Sequence, residues 1–407
     1  MVPRSVVVTG IGVVCSLGAD VDELWKGLLA GRSGIGPVTR FDPERFRSRY
    51  AAEIDDSRVT FAPGPLRFEI KRMSGFVRYA LFAAEQALTD SALTEREGGG
   101  VYLGVAMGGL PSIEAGVLQQ EREGPRRTSP FLIPSLIPNM AASMIALRHG
   151  IEGEQVTVAG ACASGCQAVG QAMRAIRSGA RTWALAGGAE AVTTPVTYSG
   201  FEAMRALSRG ADPELTPRPF DRDRDGMIVG EAAAVFVLEE REHAEARGAV
   251  IHGELTGFAS NSGGEGITGL SADHIRACMT DALTDADTRA DAVDCVFAQA
   301  SGMVQGDAAE LAAIRAATAG TERRPAVTSI KGHTGYAFAA NGPMNLAAAL
   351  MALRHQTVPP TLKLDRTEPP FADVDIAREP RERVIRRCLI NAFGFGGINA
   401  SLVVSRA

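Results

Sequence analysis

Short β-branched runs alternate with alanine-rich stretches of helical periodicity from one end of the chain to the other. Residues 6–9, 100–104, 156–158, 182–185, 233–238, 296–298, 326–329, 389–391 and 400–404 read as buried strands. Residues 76–92, 141–149, 166–178, 273–284, 308–317 and 343–355 carry apolar positions every three or four residues and read as helices. This order predicts an α/β fold and argues against an all-helical or all-β one. Glycines gather where strands are expected to turn into helices, at Thr9-Gly10-Ile11-Gly12, Met107-Gly108-Gly109, Ser164-Gly165, Ala186-Gly187-Gly188 and Gly394-Phe395-Gly396-Gly397. Backbone that passes close to itself or to a ligand needs glycine there.

The chain has 407 residues, 45% of them hydrophobic, which is enough for a large core and for two or three structural units. No Ser/Gly/Pro linker or charge block divides it. Two intimately packed halves are expected, 1–250 and 251–407, joined near 239–250. The 42 basic and 47 acidic residues are spread evenly, without the basic excess that a nucleic-acid partner requires. The longest apolar stretch, 336–353, is broken by Asn341, Gly342, Pro343 and Asn345, so no membrane span is expected. The run from Ser5 to Cys15 fits a buried strand and glycine turn better than a lipoprotein signal. A soluble, cytoplasmic protein follows as the expectation. Six cysteines without a CxxC pair and six scattered histidines predict neither a disulfide framework nor a metal site.

The stretch Val158-Ala-Gly-Ala-Cys162-Ala-Ser-Gly165 places a cysteine between a strand and a long helix. Unpaired N–H groups and the dipole at a helix N-terminus favour a thiolate there. A buried structural cysteine fits the same residues.

Nine segments in register carry a resemblance. They are Val8-Thr-Gly-Ile-Gly-Val-Val, Gly108-Gly-Leu-Pro-Ser-Ile-Glu114, Ser129-Pro-Phe-Leu-Ile-Pro-Ser135, Ala161-Cys-Ala-Ser-Gly165, Arg218-Pro-Phe-Asp221 with Arg224-Asp-Gly226, Val237-Leu-Glu-Glu240, Lys331-Gly-His-Thr-Gly335, Val358-Pro-Pro-Thr361 and Asn391-Ala-Phe-Gly-Phe-Gly-Gly-Ile-Asn399. Through them almost the whole chain resembles the β-ketoacyl-ACP synthases of the thiolase superfamily. The resemblance implies a thiolase fold, with two pseudo-duplicated halves giving a layered α-β-α-β-α core. It implies that Cys162 is the acyl-accepting nucleophile. It implies no cofactor held by the chain itself, since phosphopantetheine arrives on the acyl carrier protein.

The two histidines that such enzymes use in decarboxylative condensation fall on Gln299 and Tyr336. Lys331 keeps its place in the second motif. The hydroxyls offered to phosphopantetheine become Ser301 and Met303, and a family glutamate becomes Asn345. His333, three residues before Tyr336, reads as a helper or filler rather than a replacement base. Loss of both imidazoles is similar to the chain length factor, or ketosynthase β, subunits of type II polyketide synthases, with one departure. Most of those carry glutamine where this chain keeps Cys162.

By the same resemblance the expected partners are a ketosynthase α subunit in a heterodimer, with a homodimer as the alternative, and an acyl carrier protein. Leu110, Ile113, Val117, Phe131, Pro134 and Phe393 would line an acyl tunnel, with ordinary interface packing as the competing reading. Phe395 would gate the pocket and share an oxyanion hole with the Cys162 N–H. Lys71 and Arg72 would receive the carrier protein or simply form a solvated helix face. A second functional reading is an atypical synthase or acyltransferase using Cys162 with Gln299 and Tyr336. A third is a homodimeric acyl-carrier-protein binder without chemistry.

Overall fold

The structure, a computed structural model, describes residues 4–210, 212–321 and 323–407. Ten strands form one mixed sheet: β1 (Val6–Cys15), β2 (Val101–Gly104), β3 (Gln155–Val158), β4 (Trp183–Glu190), β5 (Ala232–Glu240), β6 (Gly253–Ser262), β7 (Cys295–Phe297), β8 (Ala326–Thr328), β9 (Arg387–Gly394) and β10 (Ile398–Ser405). Their spatial order is β8-β7-β9-β10-β6-β1-β5-β4-β2-β3. The first five strands and the last five therefore repeat one topology. In each set the first and fifth strands pair antiparallel, as do the fifth and fourth, while the fourth, second and third run parallel. The sets meet where β1 runs antiparallel to β6, from Val6↔Leu255 to Val8↔Gly253. A short helix, Arg241–Ala246, connects them.

The longer helices are α1 (Gly75–Ser91), α2 (Leu110–Glu123), α3 (Met140–His149), α4 (Ser164–Arg177), α5 (Ala272–Asp285), α6 (Val304–Ala317) and α7 (Asn341–His355). α1 covers the outer face of β1 and β5, and α5 covers that of β6 and β10. α4 and α7 pack on each other between the two strand sets. The result is the expected α-β-α-β-α layering. Strands covered on both faces have no polar side to present, so every residue of β1 is buried. α7 is likewise apolar around its circumference, and Asn341 to Leu353 are all buried.

Two glycine groups read as turns lie inside strands instead. β1 continues through Gly10 and Gly12 to Cys15, and β4 through Gly187 and Gly188 to Glu190. These glycines serve close packing. A Cβ on Gly12 would lie 1.8 Å from the Ala83 carbonyl oxygen of α1, and one on Gly187 would lie 2.0 Å from that of Ala234.

Candidate active site

Ligand crevices in α/β sheets form beyond the carboxyl ends of parallel strands, and the cavity of about 450 Å3 in this chain sits there. Both halves build it. Ala106 and Met107 follow β2, Ala161 and Cys162 follow β3, Gln299 to Ser301 follow β7, Tyr336 and Phe338 lead into α7, and Phe393 to Phe395 come from the end of β9.

The elbow that presents Cys162 is tightly specified. Ala161 takes a left-handed φ of 46°, sparsely populated for a residue with a Cβ, and opens a 3-10 turn, Ala161–Ala163, that runs into α4. The Ser164 hydroxyl accepts from the Gly160 N–H at 2.8 Å and donates to the Ala161 carbonyl at 2.5 Å, pinning the turn. The second half repeats the device. Phe338 has φ 44° and opens the turn Phe338–Ala340 ahead of α7. The two elbows touch: a Cβ on Gly165 would lie 2.3 Å from the Ala339 carbonyl oxygen. The Gly394 loop also closes on the first elbow, since a Cβ there would lie 2.9 Å from the Cys162 nitrogen.

Cys162, Tyr336 and Gln299 are brought together. The buried Tyr336 hydroxyl hydrogen-bonds the Cys162 thiol, and Gln299 Nε2 donates to the same hydroxyl. Gln299 Nε2 also donates to the Phe393 carbonyl at 2.8 Å, while its Oε1 is buried without a partner. Desolvation pushes the Cys162 thiol up to about 11; the charge of Glu190 adds to this and the Tyr336 hydroxyl opposes it. The thiolate expected from the helix N-terminus is therefore overruled by burial. Tyr336 is raised well above 10, by burial first and by the neighbouring sulfur second. Neither group is a base at neutral pH.

Ionisable groups stand behind this neutral trio. Glu310 accepts from the Gln299 N–H (2.9 Å), the Ala300 N–H (2.8 Å) and Asn391 Nδ2 (3.0 Å). Asp307 accepts from the N–H groups of Ser301, Gly302 and Phe220, and burial pushes it up to about 6. Lys331 does not reach the cavity. Its Nζ donates to the Ala298 carbonyl and to Asn345 Oδ1, each at 2.8 Å, and burial lowers its pKa while Glu310 opposes the shift. Glu190 accepts from the N–H groups of Ala106, Met107 and Gly108, and desolvation raises it to about 7. Sequence reasoning missed the roles of Glu190 and Glu310. An acid closing an otherwise apolar strand, as in Leu185-Ala-Gly-Gly-Ala-Glu190, was the available signal, because a buried carboxylate needs dedicated donors.

The remaining predicted residues separate. Phe393 and Phe395 line the cavity. Leu110 packs in one apolar cluster with Met107 and Cys162 but lies off the cavity wall. Ile113 and Val117 are exposed on α2, and Phe131 and Pro134 are half-buried nearby, so none of these four lines the cavity of the single chain. Lys71 and Arg72 are exposed after the short helix Arg67–Ile70, with the Arg72 guanidinium stacked 3.3 Å over the Phe68 ring. His333 is buried between the carbonyls of Arg32 and Pro360, away from the cavity, and desolvation lowers it to about 4. Among the described residues no histidine lines the cavity, no cluster of His, Cys, Asp and Glu could hold a metal, and no helix is long and apolar enough to cross a membrane.

The Beta-ketoacyl synthase N-terminal domain family matches residues 3–244, and the Beta-ketoacyl synthase C-terminal domain family matches 252–365. The 3-oxoacyl-[acyl-carrier-protein] synthase 2 of Coxiella burnetii (strain RSA 493 / Nine Mile phase I) is 37% identical over 416 residues, covering 100% of this chain and 99% of the relative. Among solved structures, the ishigamide ketosynthase/chain length factor superposes with a TM-score of 0.91 at 32% identity and full coverage of both chains. A type II PKS acyl-carrier protein in complex with its ketosynthase bound to the hexaketide gives 0.91 at 30% identity, again with full coverage. With the duplicated sheet and the cysteine elbow at its crevice, these matches establish that the chain belongs to the β-ketoacyl synthase family.

Proposed function

We propose that this chain is a chain length factor-like subunit that pairs with a ketosynthase in a type II polyketide synthase, shapes the acyl tunnel at their interface, and does not itself perform decarboxylative condensation. The observation that carries this reading is the neutral trio at the crevice. Condensation builds negative charge on an enolate oxygen and needs preorganised donors there. Tyr336 and Gln299 are already committed to Cys162 and to the Phe393 carbonyl. The other support is the outer surface. β3 ends the sheet with one neighbour, and Ile113, Val117 and Leu118 on α2 and Ile133 in the short helix Leu132–Leu136 stand exposed. An open strand edge and an exposed apolar helix face each suit a second thiolase-fold subunit, and on pairing Ile113 and Val117 would join Leu110, Phe131 and Pro134 along a tunnel. The acyl chain would arrive on the phosphopantetheine of an acyl carrier protein.

One observation favours a second reading. Cys162 opens on the cavity and is not sealed in the core, so an acyl group can reach it. In that reading the chain is an atypical β-ketoacyl-ACP synthase or acyltransferase with Gln299 and Tyr336 as neutral donors. Co-expression with a ketosynthase carrying one cysteine and two histidines, followed by native mass spectrometry, separates the two. A one-to-one heterodimer is expected, and a homodimer that elongates acyl carrier protein unaided overturns the proposal. In the heterodimer Ile113→Phe should shorten the product; an unchanged length removes α2 from the tunnel. Intact-mass analysis after incubation with acyl carrier protein, wild type against Cys162→Ala, reads acylation directly.

A further inference from the structure

A second cavity, of about 320 Å3, lies outside the reaction crevice. Arg47, Arg205 and Arg209 line it, with Ser48, Ser199 and Glu202. None of the three guanidinium groups has an ion pair or side-chain hydrogen bond among the described residues. Elsewhere the chain pairs arginines with acids, as Arg40 with Glu231 and Arg148 with Glu85. The local acids are engaged elsewhere. Glu202 Oε1 accepts from the backbone N–H groups of Arg47 (2.6 Å) and Ser48 (2.8 Å), and Asp225 accepts from the Arg209 N–H and the Ser208 hydroxyl. Ser48 is only 1% exposed, yet its Oγ is buried without a partner on this wall.

We infer that this pocket is a binding site for a phosphate dianion, either free or as a monoester on a small metabolite. Three cations outnumber the one carboxylate in its lining, Glu202, and the second nearby, Asp225, which leaves a positive surplus suited to an anion. Planar guanidinium groups present paired donors to phosphate oxygens, and Ser48, whose buried hydroxyl has no partner, belongs to the same lining. The site needs no part of the Cys162 chemistry. Arg205 is shared between its lining and that of the reaction crevice, so an occupant would sit against the crevice wall.

Isothermal titration of the full chain at pH 8 with inorganic phosphate, and separately with phenyl phosphate, tests the site. Saturable binding of inorganic phosphate is expected, weakened roughly tenfold by either Arg47→Ala or Arg209→Ala, because each removes a charge-assisted contact. Both side chains are exposed, so neither change threatens the fold. Glu202→Gln keeps the amide oxygen that caps the Arg47 and Ser48 N–H groups and removes its charge; it should tighten binding about threefold. Cys162→Ala should bind like wild type. Tighter binding of phenyl phosphate than of inorganic phosphate marks an ester as the source, and the reverse marks the free anion. Absence of saturable binding for both probes, or equal binding in wild type and the Arg47→Ala/Arg209→Ala double variant, overturns the inference.

Discussion

The crevice has two walls of opposite character. Cys162, Tyr336 and Gln299 form a neutral front whose hydrogen bonds run through a hydroxyl and an amide. Glu310, Asp307, Lys331 and Arg224 form an ionisable backing that holds the loop after β7 by its N–H groups and carbonyls. The backing is what a structure needs to fix a loop, and the front is where chemistry with an acyl group would have to happen. Charge has thus been kept mainly for architecture: Asp307 and Glu310 reach the cavity lining while tied to backbone N–H groups, and the groups beside the thiol are neutral. The two walls should respond to substitution in different observables.

The largest effect belongs to the backing. Glu310→Ala leaves the Gln299 and Ala300 N–H groups and Asn391 Nδ2 without an acceptor and Lys331 without its nearest counter-charge. It should cost at least ~3 kcal/mol by denaturant unfolding, with Glu310→Gln costing less. A loss below ~1 kcal/mol would erase the distinction between the walls.

Next comes pH. Glu190 is raised from 4.5 to about 7, so between those values the folded protein holds a proton that the unfolded chain has released. Its contribution to stability is complete below about 4.5 and is lost as pH rises towards 7. Unfolding of wild type and Glu190→Gln at pH 5 and pH 8 isolates the group. The loss on going to pH 8 should be smaller in the variant by ~1–2 kcal/mol.

The front wall should show itself in reactivity. With Cys162 near 11, roughly one thiol in a thousand is ionised at pH 8, and alkylation should climb steadily past pH 9. Tyr336→Phe removes the hydroxyl that favours the thiolate, so alkylation at a fixed pH should slow by about fivefold. A faster reaction would mean that Tyr336 mainly shields the sulfur. The smallest effect is expected for the stability of Cys162→Ala, within ~1 kcal/mol of wild type, because the side chain is small, only partly buried, and faces the cavity.

Much of this arrangement was legible in the residue order. The alternation of apolar runs gave nine of the ten sheet strands and six of the seven longer helices, missing β6 and α2, and the small-residue run around Cys162 marked its elbow. The placement of Gln299 and Tyr336 beside that elbow followed from motif register, and the fold brings the three together. The failures have a common physical cause. Gly12 and Gly187 look like turn residues because glycine serves both a tight turn and a close strand contact, and only the neighbouring backbone distinguishes them. The thiolate expectation weighed a helix terminus, which sequence shows, against burial, which it does not. Lys331 looked like a crevice residue because its motif is contiguous with Tyr336, yet the left-handed Gly335, φ 64°, lets the chain turn between them. Ile113 and Val117 depend on a surface that a single chain leaves open.

The repeated elbow has one more implication. Ala161 and Phe338 stand at matching points of two copies of one strand–turn–helix unit, but only the first copy is followed by a thiol. A chain that carries one unit twice can present a thiol from one copy and bulk and shape from the other. In this molecule the second copy forms an aromatic wall, with Phe338 stacked on Phe201 and edge-on to Tyr336. A division of labour between matching positions is therefore present inside one polypeptide, before any second subunit is considered.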